Sequence, residues 1–379
     1  MANKNIYEGV NVQKEVVSNR QGITMMALFI MGSTMLLGIG SEAKQDAWLA
    51  IIIAFIFIIP VMTIYARILA LYPGKSLYEI LNAVFGSIFG RIIALFFIWY
   101  ALHLGTLILR NFQVFIKVVA FPETPEFVSV MLMGILCIWA VKEGIEVLGR
   151  FSQLVIIVLA FIIIAVVILG MKDAKFDNLR PFLYNGIKPV ISSAFNTFSY
   201  PFAETVLFMA AFSFMKNKND SYRVYYFALA IGVFFTLLVT VRNILVLGAN
   251  LTDQVYFPSY TAVSLITIGE FLQRIEVTVS VVLLFAGFVK VSVCLLAAAK
   301  GVDYLFKIGN YRQIVAPVGL LMMVVSCFIF QNIMDMQEFA FKIYKYYAFP
   351  FQVILPVIIW IGAEIKAKQD KKRSECNRS

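Results

Sequence analysis

Ten stretches of roughly 20 apolar residues follow one another along the chain, near 21–41, 46–71, 91–119, 127–143, 151–171, 189–214, 224–248, 275–299, 314–331 and 347–364. At ~1.5 Å rise per residue each is long enough to cross a hydrocarbon core of about 30 Å as a helix. A membrane barrel would instead alternate apolar and polar residues over about ten positions. Of 379 residues, 61% are hydrophobic and 14% charged, and the mean hydropathy is +0.86, which a soluble core does not account for. The expected fold is an all-α membrane protein with ten transmembrane helices.

Orientation follows from the cationic residues. With the N-terminus in the cytoplasm, the cytoplasmic segments hold 20 of the 32 Lys and Arg, the outer segments ten, and the spans two, Arg242 and Lys290. Positive-inside bias therefore places both termini in the cytoplasm. The net charge of +10 is accounted for by this topology and by anionic lipid, so it gives no support to nucleic-acid binding. Residues 1–20 read as a cytoplasmic N-terminal segment, 21–365 as one membrane domain, and 366–379 as a basic cytoplasmic tail. No cleavable leader is visible, because the first 20 residues are polar and the first apolar run is too long. Residues 75–90 suggest an amphipathic surface helix and 259–273 a short outer helix. Cys137, Cys294, Cys327 and Cys376 show no metal-ligand spacing, so no disulfide, metal or cofactor is expected.

Two of the runs are interrupted. The first carries Gly32, Ser33, Thr34, Gly38 and Gly40; the sixth carries Ser199, Tyr200 and Pro201, with Glu204 three residues beyond the proline. An ionised side chain at a membrane helix centre costs about 2.5–3.5 kcal/mol on insertion scales, so Glu204 is a candidate functional group. Interrupted helices in corresponding positions of two five-span halves point to an inverted-repeat transporter, with its ligand between the breaks. Unwound backbone there exposes N–H and C=O groups, and half-helix ends add partial charge. Glycine used only for close packing, and proline used only for a kink, would leave the same marks.

Ser192, Asn196, Tyr200 and Glu204 recur every four residues and would share one helix face. On that face Glu204 suits a ligand ammonium or a transferable proton; the alternative is a structural pair with Lys290 or Arg242. Glu276, Ser280, Gly287, Lys290 and Cys294 form a similar stripe in the eighth span. Lys290 reads as a cation in the place of a coupling ion, or as a side chain snorkelling to the cytoplasmic interface. His103, the one histidine, reads as a packed residue more readily than as a proton relay. Arg242, less than two turns from the outer end of its span, reads as snorkelling.

The motifs HExxH, GxSxG, GxxxxGK[ST] and GxGxxG are all absent, so no catalytic residues are expected and the chain does not read as an enzyme. The segments MGSTMLLGI, AKQDAWLA, KEGIEVLGRFSQ, DNLRPFLYNGIKPV, SYPFAE and GEFLQRIEV, in that order, resemble the B subunit of bacterial spore germinant receptors, the endospore germination permease family. The resemblance runs from about residue 20 to 365. In the first break Met35 and Leu36 depart from the GxG form usual in relatives.

The resemblance implies a LeuT-like, five-plus-five inverted repeat akin to amino acid–polyamine–organocation transporters, with discontinuous helices 1 and 6. It implies residence in the inner membrane of the spore, a larger A subunit and a lipoprotein C subunit as partners, and recognition of a small nutrient such as an amino acid, sugar or nucleoside. The expected ligand site is Gly32, Ser33, Thr34, Gly38, Asn196, Ser199, Tyr200, Pro201 and Glu204, with Lys290, Glu204 and His103 as ion-coupling or structural groups. A proton-coupled amino acid permease and a non-binding scaffold for the partner subunits are the competing readings.

Overall fold

The computed structural model describes residues 16–34, 38–120, 122–213, 217–266 and 275–376. Most of the expected N-terminal segment, the end of the basic tail, Met35, Leu36 and Leu37 in the first break, and 267–273 of the expected outer helix lie outside the described residues. Described residues form helices and connecting turns, without strands among them.

The helices are α1 (Asn19–Thr34), α2 (Ala47–Leu71), α3 (Leu77–Phe115), α4 (Glu126–Glu143), α5 (Ile145–Gly170), α6 (Ile187–Thr197), α7 (Phe208–Ala211), α8 (Lys218–Leu247), α9 (Ala249–Gln254), α10 (Pro258–Ser264), α11 (Val277–Phe306), α12 (Arg312–Phe328), α13 (Ile333–Glu338), α14 (Tyr344–Phe349) and α15 (Leu355–Cys376). Among the described residues, six continuous helical stretches are long and apolar enough to cross a membrane: Ser41–Leu71, Leu77–Val119, Ile145–Asp173, Asn219–Leu247, Val277–Phe306 and Ile333–Lys371. The remaining expected spans correspond to the short helices α4 and α12 and to the two interrupted runs.

Burial ranks the helices. Over its most apolar stretch α11 is 78% buried, whereas α5 is 28% buried. α1 packs against α5, α8 and α11, and Met25 through Met31 are all fully buried. This is a helix apolar all round because it is surrounded by other helices. On α5 the reverse holds: Leu154, Ile157 and Phe161 are 66–75% exposed, which suits contact with lipid tails that are as apolar as the side chains.

The expected surface helix at 75–90 is shortened to 77–85, because Gly86, with φ of 75° and ψ of −174°, breaks α3 inside it and leaves 87–90 with the third span. Ser76 starts that first segment with a capping box, its N–H and Oγ donating to Glu79 Oε2 at 2.7 and 2.9 Å.

The second expected break is present in the chain path; at the first, Gly32, Ser33 and Thr34 continue α1, and 35–37 lie outside the described residues. α1 ends at Thr34, and a short 3₁₀ segment, Ser41–Asp46, leads into α2. The other run is α6, a π turn at Phe198–Phe202, a 3₁₀ segment at Ala203–Leu207, then α7. Inside the π turn Tyr200 is extended, with φ −135° and ψ 110°. Its residue class explains the position: the residue before a proline is pushed out of the helical region. Lys300 Nζ donates to the carbonyl of Ala211, at the C-terminal end of α7, at 3.1 Å, where a cation complements the helix end.

Candidate functional site

The second break sets Glu204 against α11. Its carboxylate is fully buried and pairs with Lys290, also fully buried. Its other oxygen accepts a hydrogen bond from Tyr344 Oη at 2.5 Å. Tyr344 Oη lies 3.0 Å from Tyr100 Oη. Gln352 Nε2 donates to Tyr100 Oη and to the carbonyl of Ser199, each at 2.8 Å. Tyr65 Oη donates to the carbonyl of Gln352. The network therefore links α2, α3, the second break, α11, α14 and the π turn Pro350–Ile354. The Lys290 ammonium also stands over the rings of Phe29, 4.8 Å away, and Tyr200, 5.2 Å away. Two charges fully removed from water require such compensation.

The sequence left two readings of Glu204 open, and the structure shows it paired with Lys290 rather than with Arg242. Lys290 does not snorkel. Arg242 does not snorkel either: it is 3% exposed, held between α8, the end of α5 and α10. The four-residue stripe is also corrected. Ser192 is exposed and bonds Lys345 at 3.3 Å, while Asn196 donates to Glu42 Oε2 at 2.6 Å. The extended Tyr200 breaks the regular period, so Glu204 faces α11 in a direction of its own.

Gly32 is buried against α11; a Cβ there would meet the carbonyl oxygen of Ala286 at 2.8 Å. It permits a close helix crossing. Ser33 belongs to the last turn of α1, and its side chain is outside the described part. Thr34 is buried, its hydroxyl donating to the carbonyl of Met31 at 3.1 Å. Gly38 lies against Pro258, which a Cβ would meet at 2.9 Å. Ser199 and Pro201 are buried, and Ser199 Oγ has no hydrogen-bond partner. His103 packs among Trp99, Phe339 and Tyr347 rings, with centroids at 5.6, 5.8 and 4.9 Å, apart from the Glu204 network.

Tyr200 is the wall between three small cavities. One, of about 20 Å³, is lined by Gly32, Asn111, Met133, Gly287 and Val291 among others. A second, also about 20 Å³, is lined by Gly40, Glu42, Ser193, Asn196 and Thr197. The third, about 30 Å³, reaches Glu204 and Tyr344. Each holds one or two waters at most, so this conformation is closed around the breaks. Gly287 opens onto the first of these; a Cβ there meets nothing within 4 Å. A larger cavity, about 540 Å³ between α3, α4, α5 and α11, is walled by Phe112, Leu132, Trp139, Phe151 and Phe288. Its apolar walls suit hydrocarbon rather than a polar nutrient.

Sequence reasoning missed Tyr344, Tyr100, Gln352, Asn111 and Glu42. Gln352 and Asn111 carried a signal, being polar residues inside apolar runs; the tyrosines did not stand out among 17.

Comparison with known proteins agrees with this architecture. Residues 16–335 match the family model for spore germination protein. The chain is 31% identical to spore germination protein KB of Bacillus subtilis (strain 168), over 95% of this chain and 98% of that protein. Among solved structures it is similar to Mhp1, a nucleobase-cation-symport-1 family transporter in a closed conformation with bromovinylhydantoin bound, at a TM-score of 0.63, covering 94% of this chain and 93% of that one at 12% identity. It is similar also to MhsT in complex with L-phenylalanine, at a TM-score of 0.61, covering 93% and 99% at 12% identity. The fold is thus that of LeuT-like transporters, and the chain belongs to the spore germination protein family.

Proposed function

We propose that this protein is the membrane subunit of a germinant receptor that binds a small polar nutrient, an amino acid in the first instance, between the two helix breaks, and passes occupancy on as a germination signal. The observation that carries the reading is the Glu204–Lys290 pair, fully buried beside the second break and hydrogen-bonded through Tyr344, Tyr100 and Gln352. A pair of opposite charges beside the second break can be re-partnered by the ammonium and carboxylate of a zwitterion, at the cost of opening the network. Gly32, Ser33, Thr34, Gly38, Asn196, Ser199, Tyr200 and Pro201 form the surrounding ligand-binding set. Because the cavities at Tyr200 are closed to anything larger than water, binding requires that wall to move, and that movement is the signal.

Family membership supports the remaining assignments: residence in the spore's inner membrane, and assembly with an A subunit and a lipoprotein C subunit. Charge bias supports cytoplasmic termini, with a segment over 1–20 and a basic tail over 366–379 flanking the membrane domain at 21–365. Single cysteines near Lys218 and Lys307 should then react with an impermeant thiol reagent only after the membrane is opened, whereas one near Asn250 should react at once; the reverse pattern refutes the orientation.

The transporter folds of Mhp1 and MhsT favour a second reading, a proton-coupled amino acid permease. Reconstituted vesicles separate the two. Saturable amino acid binding without accumulation supports the sensor, accumulation supports the permease, and neither leaves a scaffold for the partner subunits.

A further inference from the structure

Arg242 poses a separate physical problem. It lies on α8, five residues before the helix ends at Leu247, and only 3% of it is exposed. Its methylenes pack on Gly170 at the end of α5, where an added Cβ would stand 3.6 Å from Arg242 Cδ. Its Nε has no hydrogen-bond partner, and no ion pair to Arg242 is present among the described residues. A guanidinium buried with no counter-charge among the described residues is an unfavourable arrangement for a membrane helix to hold.

Around it the groups converge as a receptor for negative charge. Arg242 lines a cavity of about 30 Å³ together with Ser259 of α10 and Thr278 of α11, the other walls being aliphatic residues of α5, α8 and α11 such as Val166, Val239 and Val282. Ser259 Oγ accepts from Asn243 Nδ2 at 3.1 Å, which leaves its own hydrogen free to donate into the space. Thr278 spends its hydrogen on the carbonyl of Ile275 at 2.6 Å. The donors that remain are the guanidinium fork and the Ser259 hydroxyl, both suited to an anion. The volume exceeds the ~10–15 Å³ one water needs and is far too small for an amino acid.

We propose that Arg242 is the centre of a second ligand site, for a small monovalent anion such as chloride, at the seam where α5, α8, α10 and α11 meet. The anion neutralises Arg242 and ties α8 to α10. It is distinct from the nutrient site at Glu204 and does not depend on the function proposed above.

The test uses the purified full-length chain in detergent, with gluconate replaced by chloride at constant ionic strength. The melting temperature should rise saturably with chloride, because a ligand of the folded state alone stabilises it. Arg242→Gln should abolish the dependence. Since that variant can fail to fold, Ser259→Ala provides a second arm: it should fold and shift the half-saturating chloride concentration upward about tenfold, one charge-assisted hydrogen bond's worth. Arg180→Gln, on the loop after α5, should respond as the wild type does. A wild-type melting temperature indifferent to chloride overturns the proposal, as does an unchanged response in Ser259→Ala and Arg242→Gln. A response to added anionic phospholipid but not to chloride also overturns it, and assigns the charge to a lipid headgroup.

Discussion

Glu204→Gln is the most informative single change. The substitution preserves shape and leaves an oxygen to accept the Tyr344 hydrogen bond, so the loss is confined to charge: Lys290, fully buried on α11, then loses the carboxylate it pairs with. Removing one member of a buried ion pair costs about 3–5 kcal/mol. Lys290→Met should cost a similar amount, plus about 0.5–2 kcal/mol for the cation lost from the Phe29 and Tyr200 rings. The double variant leaves no stranded charge. It should be more stable than the sum of the single losses predicts, by about 2–3 kcal/mol. The assay is the ranking of apparent melting temperatures of the purified chains in one detergent, read beside the nutrient response of spores carrying each variant. Single variants within about 0.5 kcal/mol of wild type, or losses that simply add, would refute the claim that the two charges are held as one unit.

Two further outcomes follow from local geometry. Gly287→Val points its side chain into open space beside Tyr200; it should leave protein abundance unchanged and weaken the nutrient response at least tenfold, about 1.4 kcal/mol, in a dose–response titration. Gly32→Val, whose Cβ would press on the Ala286 carbonyl oxygen at 2.8 Å, should lower abundance instead. At the start of α4, Glu126 accepts hydrogen bonds from Lys117, Arg110 and Gln113, and Lys117 above all, with Arg110, holds its carboxyl below the usual carboxylate range. The folded state therefore binds that proton more weakly than the unfolded chain. Its stabilising contribution is present above the unfolded value of about 4.3 and is lost as pH falls through the folded one. The melting-temperature gap between wild type and Glu126→Gln should accordingly be largest near neutrality and close as the solution is acidified.

What the sequence disclosed depended on whether a residue was anomalous on its own segment. Glu204 and Pro201 stood out because neither suits a passive apolar helix, and both breaks were legible from Gly, Ser and Pro inside otherwise continuous runs. The partner of Glu204 was legible only as a choice between Lys290 and Arg242, since Lys290 is 86 residues away and hydropathy fixes a helix's length but not its rotation. The stripe from Ser192 to Glu204 assumed an unbroken period that the extended Tyr200 does not keep. Arg242 was misread for a related reason: its distance from the helix end is a property of α8 alone, whereas its burial comes from α5, α10 and α11 closing over it. Gly32 was expected to make room for a ligand; the space a Cβ would take is filled by the backbone of α11, and Gly32 still lines the small cavity beside Tyr200. Tyr344 and Tyr100 gave no signal, because tyrosines are common at membrane interfaces and only the assembled bundle shows which are buried on a carboxylate.

The central claim, that a small polar nutrient binds at the paired breaks beside Glu204 and Lys290, is tested most directly by melting the purified chain against a panel of amino acids, sugars and nucleosides. A ligand specific to the folded state raises the apparent melting temperature by an amount that saturates, about 2.7 kcal/mol of stabilisation at 100 times its dissociation constant. The account predicts such a shift for at least one amino acid in the wild type, and its loss in Gly287→Val, which fills the space without touching the charges. A shift retained in full by Gly287→Val, or a panel to which the wild type is indifferent, would contradict it.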